Sequence, residues 1–100
     1  MAAVAHPTAT ITLFELPDSP YRLQRAILLE VEHDESGYVV SDQGTGVFYY
    51  DRDWSRALSG FVTAFVDEFE FLRRNQEQLS PSLRSELERF QSVLAEAVAA

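Results

Sequence analysis

Cysteine is absent from the chain, and so is lysine. Without cysteine there is no disulfide, no thiolate nucleophile and no cysteine-based metal site. Without lysine, all eight bases are Arg, set against sixteen acids for a net charge of −8. That balance repels phosphate backbones, so direct nucleic-acid binding is not expected and basic partners are favoured. The same charge also serves solubility. No run of 18 apolar residues occurs, so no membrane-spanning helix is expected. The opening MAAVAHPTAT has neither a basic start nor a sustained apolar stretch, unlike a secretory signal, and a cytoplasmic location is the expectation.

What the chain does have is apolar mass. Hydrophobic residues make up 46% of it, including seven Phe, four Tyr and one Trp. A single domain of this size buries roughly two-thirds of its unfolded surface, and this composition suffices for its core. Residues 1–7 read as a flexible leader, and residues 8–100 as one domain.

Thr8 to Leu16 is β-rich, with Ala9, Ile11 and Leu13 on one side and Thr10, Thr12 and Phe14 on the other. Pro17-Asp18-Ser19-Pro20 breaks it, because two prolines do not fit a paired ladder. Tyr21 to His33 reads as a longer strand with Leu23, Ile27, Leu29 and Val31 on one face, interrupted by Arg25. Gln24, Glu30 and Glu32 point the other way with Ala26 and Leu28. The stretch RLQRAILLEVEH also fits a helix. Asp34-Glu35-Ser36-Gly37 and Gln43-Gly44-Thr45-Gly46 are turns flanking a strand over Tyr38–Asp42, and Val47 to Tyr50 forms a fourth strand.

Two helices follow. Asp53 suits an N-cap, and Trp54, Leu58, Phe61, Phe65, Phe69 and Leu72 repeat at helical spacing, with Val62, Val66 and Phe71 widening the stripe. Ser80-Pro81 is a second helix start, with Leu83, Leu87, Phe90, Leu94 and Ala97 as its stripe. The expected fold is therefore α+β: three or four antiparallel strands packed against a C-terminal two-helix hairpin, in ββββαα order.

No catalytic constellation accompanies these elements, and neither enzyme activity nor a cofactor or metal is expected. His6 and His33 have no partner at metal-ligand spacing, and no Ser has a His and an acid to activate it. Gly44-Thr45-Gly46 precedes a strand, so turn chemistry explains it better than a phosphate cradle. The acids are the uneven feature. Glu30, Glu32, Asp34, Glu35, Asp42 and Asp51 fall between Ala26 and Asp51, where no Arg stands. They read as a docking face for a basic partner or as a solvated strand face with a polar turn. A metal-dependent nuclease would use such acids too, but it also needs a basic surface to hold nucleic acid. The apolar stripe around Trp54, Phe61, Phe65 and Phe69 is core, subunit contact, or both, and a homodimer or higher oligomer is expected.

The middle of the chain resembles the HicB-like antitoxin superfamily. Val31-Glu32-His33-Asp34-Glu35-Ser36-Gly37-Tyr38 matches its strand-turn-Gly-Tyr opening. Tyr49-Tyr50-Asp51-Arg52-Asp53-Trp54-Ser55-Arg56-Ala57-Leu58 matches part of its entry into the main helix, with Tyr49 and Asp51 where Gly is usual and Asp53 in place of a capping Thr. The likeness covers roughly residues 26 to 72. It implies a degraded ribonuclease-H-like fold that acts by binding a small basic toxin-like protein. It also implies a DNA-binding tail in many members, but from Leu79 onward this chain has one helix with Glu86, Glu88 and Glu96 against Arg84 and Arg89, which is no basic reader. The alternative with the same fold is a homo-oligomeric scaffold with no toxin partner.

Overall fold

The structure, a computed structural model, describes residues 8–96. The leader assigned to residues 1–7, with His6, lies outside the described residues, and so does Ala97. The architecture is α+β in the expected order. Strands β1 (Thr8–Leu13), β3 (Ile27–Asp34), β4 (Gly37–Ser41) and β5 (Phe48–Asp51) form one antiparallel sheet in the order β1-β3-β4-β5. Helices α1 (Trp54–Arg74) and α2 (Pro81–Val93) follow it. A second, two-stranded sheet joins β2 (Tyr21–Leu23) to β6 (Leu94–Glu96).

The β3–β4 hairpin turns at Glu35-Ser36. Asp34 closes it by accepting from the Ser36 amide at 2.8 Å and the Ser36 hydroxyl at 2.6 Å. Gly37 is required there twice over. Its φ is +143°, and a Cβ would lie 2.6 Å from the Asp51 carbonyl oxygen and 2.8 Å from the Arg52 Cα. The hairpin and the β5–α1 junction thus meet backbone to backbone.

Both helices begin as their caps dictate. The Asp53 carboxylate accepts from the Arg56 amide at 3.1 Å, and the Ser80 hydroxyl accepts from the Leu83 amide at 3.3 Å with Pro81 just inside the helix. Asn75 ends α1, its side-chain amide donating to the Phe71 carbonyl at 2.8 Å. The helices run antiparallel: Phe65 meets Phe90 at a centroid distance of 4.9 Å, while Glu68, one turn later, faces Glu86, one turn earlier. Leu29 and Val40 from the sheet, Phe61, Phe65 and Leu72 from α1, and Phe90 from α2 are fully enclosed. Tyr21 adds an edge-on contact to Phe69 at 5.1 Å and donates its hydroxyl to Glu70 at 3.0 Å.

Two expectations need correction. The strand over Tyr21–His33 is two strands, and the second helix stops at Val93, so Leu94 belongs to β6 rather than to the helical stripe. One set of hydrogen bonds explains both. Gln24 donates its amide N–H to the Val93 carbonyl at 2.7 Å, and its side chain donates to the Gln91 and Leu94 carbonyls at 3.1 and 2.7 Å. Arg25 reaches Ser92 Oγ at 3.3 Å. Residues 24–26 leave the sheet to satisfy carbonyls that the end of α2 would otherwise leave orphaned. Leu23 then pairs with Leu94 across the small sheet.

Candidate interaction surface

Strand alternation assigns every side chain of the main sheet to one of two faces, and the register carries the assignment from strand to strand. Ile11, Leu29, Val31, Val40 and Tyr49 share the face under α1. Helix and sheet approach closely there. A Cβ on Gly60 would fall 2.1 Å from the Tyr49 ring. His33 stacks on Tyr38 at 4.2 Å, and Tyr38 in turn meets Trp54 at 5.5 Å.

The other face carries Thr8, Thr10 and Thr12 on β1, Leu28, Glu30, Glu32 and Asp34 on β3, Val39 and Ser41 on β4, and Phe48 and Tyr50 on β5. Among the described residues nothing is laid across it. Leu28 is 64% exposed and Phe48 69%. Tyr50 is also exposed, and its hydroxyl donates to the Ser36 carbonyl, which fixes the ring beside the acid turn. Gln43 donates its side-chain amide to Glu30. The four strands place no Arg on this face, but Arg52 stands exposed just past β5 beside Gly37, and Arg25 and Arg89 border a cleft next to Leu28 and Glu30.

The six acids read from the sequence divide between different places. Glu30, Glu32 and Asp34 share the open face, and Glu35 extends it at the turn. Asp42 does not join them. It is buried in the β4–β5 turn, where it accepts from the Thr45 amide at 3.0 Å and the Thr45 hydroxyl at 2.6 Å. Asp51 pairs with Tyr38 on the helix side and accepts from the Asp53 amide at 2.9 Å. The acidic surface is therefore smaller than the sequence suggests, because Asp42 is buried in its turn and Asp51 lies on the helix side.

The aromatic residues redistribute as well. Phe61, Phe65 and Phe69 are sealed in the core of a single chain, and Trp54 is half-buried, so these four anchor the fold. Much of the exposed apolar surface lies instead on and beside the open sheet face, at Phe14, Leu28, Phe48 and Tyr50, with Tyr49 on the helix side, Phe71 on α1 and Leu83 on α2 apart from it. Sequence alternation already set Leu28 beside Glu30 and Glu32, but a lone Leu among polar neighbours is easily taken for an edge of the core.

Elsewhere, a groove of about 460 Å³ separates the Pro17–Pro20 loop from α1 and is walled by Trp54, Leu58, Val62 and Val66. Glu86 borders a smaller cleft with Glu68; partial burial, and then the Glu68 charge, raise its carboxyl above the ordinary range, with Arg89 opposing. Among the described residues no three His, Cys, Asp or Glu side chains converge to hold a metal ion. None of the described helices is long and apolar enough to cross a membrane.

Fold and surface together define a class: a small α+β domain whose main sheet, among the described residues, is covered by a helix on one side only. Comparison with family models, curated proteins and solved structures finds no match to the chain.

Proposed function

We propose that this chain is a non-enzymatic, cytoplasmic binding module, an antitoxin or regulatory protein of the kind its HicB-like resemblance implies, and that its open sheet face grips a basic partner protein. One observation carries the reading. A sheet face left uncovered combines Glu30, Glu32 and Asp34 with exposed Leu28, Phe48 and Tyr50, and its strands carry no base, with Arg25, Arg52 and Arg89 only at its margins. Carboxylates in a row raise the encounter rate with a cationic surface and reject acidic competitors. The apolar residues around them supply most of the affinity once water is excluded. A nucleic acid, being a polyanion, is refused by the same charges.

The test is capture from native lysate on the full chain, with Glu30→Lys/Glu32→Lys as the altered face and Arg84→Glu, on α2, as a control for charge change in general. A small Arg- and Lys-rich protein is expected on the unaltered chain and on the control, but not on the reversed face, and rising salt should release it. Failure to retain any basic protein, or retention indifferent to the reversal, would overturn the proposal.

A further inference from the structure

Strand β1 is an edge of the main sheet, paired on one side with β3 and on the other with no described strand. Edge strands in soluble proteins are blunted by charge, proline, bulges or shortness. β1 has none of these. From Thr8 to Phe14 the sequence TATITLF contains no charge and no proline, and the six-residue ladder to β3 is uninterrupted. We propose that this edge is the seam for a second copy of the chain, pairing β1 antiparallel with β1 of its mate to give a continuous eight-stranded sheet.

The strand is self-complementary. When an antiparallel pair sits on a two-fold axis, a residue meets a mate of the same parity, so Thr8, Thr10 and Thr12 meet threonines while Ala9, Ile11 and Leu13 meet one another. Ile11 and Leu13, only half-buried at the edge, would then be covered from the open side and the two cores would join. Phe14, 74% exposed just past the strand, extends the row at each end of the seam. A slip of one residue would set the Thr row against Ile11 and Leu13, so the pattern also selects the register.

Charge favours a second copy over a basic partner at this edge. Nothing on β1 attracts a cation; Glu30 opposite Thr10 and Glu32 opposite Thr8 are set back by one strand, and Glu15, past the strand, stands only at the outer ends of the seam. Across the seam the nearest acid rows are three strand spacings apart, roughly 14 Å, beyond the screening length of about 8 Å at physiological salt. Pairing through the open faces would instead stack acid on acid. The seam is short, so the dimer should dissociate on dilution. Its consequence is two open acidic faces side by side on one sheet, whatever they bind.

The absence of cysteine from the chain makes the experiment clean. Thr10→Cys and Thr12→Cys, both at exposed positions, are oxidised in parallel with Glu77→Cys beyond the end of α1. Sedimentation of the unaltered chain should show a concentration-dependent dimer, with covalent dimer forming at position 10 or 12 and not at 77. Thr10→Lys/Thr12→Lys, checked for its unaltered circular dichroism, should weaken dimerisation by about tenfold or more through like charges across the seam. A chain that stays monomeric at all concentrations, a cross-link favouring position 77, or a dimer indifferent to the two lysines would overturn the proposal.

Discussion

One sheet presents two faces with the same backbone and opposite duties. The helix-covered face is built from Leu29, Val31 and Val40, meets Phe61 and Phe65, and admits the helix so closely that Gly60 must lack a side chain. The open face alternates with it residue by residue, yet offers threonines, carboxylates and unsheltered rings. A residue's consequence thus depends on the parity of its position more than on its chemistry. Phe48 and Tyr49 are neighbours in the chain, but Tyr49 is in contact range of α1 while Phe48 faces solvent.

The contrast can be broken most visibly on the covered side. Phe65→Ala should cost about 3–5 kcal/mol, enough to unfold a domain of this size or lower its melting temperature sharply, as calorimetry would register. Gly60→Ala comes next. Overpacking against the Tyr49 ring should cost about 1–3 kcal/mol despite the better helix propensity of alanine. In a Tyr49→Ala background the obstacle is gone, and the same Gly60→Ala change should stabilise by up to about 1 kcal/mol. Urea titrations of the four chains would show that change of sign, or its absence.

On the open side, Phe48→Thr and Leu28→Thr should each move stability by no more than about 0.5 kcal/mol while reducing the binding of a hydrophobic dye. A loss comparable to that of Phe65→Ala would mean that something covers this face in the folded chain. The smallest effect is electrostatic. Glu86 has its folded carboxyl pKa raised by burial and by Glu68, so the folded state holds a proton that the unfolded chain gives up sooner. That contribution to stability is present below the ordinary carboxylate range and is lost as pH rises through the raised value. Glu86→Gln should remove the slope, with a gain over the parent that grows across that window and stays constant above it. Denaturation curves at successive pH values would follow it.

Much of this was legible beforehand, for reasons visible in particular residues. The 21-residue α1 declares itself through the repeat from Trp54 to Leu72 and through Asp53 at its start, both local signals. The Gly37 turn and the Ser80-Pro81 start are equally local. What stayed hidden depends on distant partners. β2 and β6 are three residues each and lie more than 70 positions apart, so no periodicity announces them. Asp42 looks like its acidic neighbours until Thr45 folds back onto it. The alternation that separates Glu30 from Leu29 was readable; which face the helices would leave bare was not, because that depends on how α1 and α2 pack.

The most direct trial of the division between faces is a calorimetric titration of a basic protein captured from lysate by the unaltered chain, into that chain and into Glu30→Lys/Glu32→Lys, with the melting temperature of each recorded beside it. The account predicts affinity lower by about a hundredfold with the melting temperature almost unmoved. Undiminished affinity, or a fall in affinity matched by a collapse in thermal stability, would contradict it.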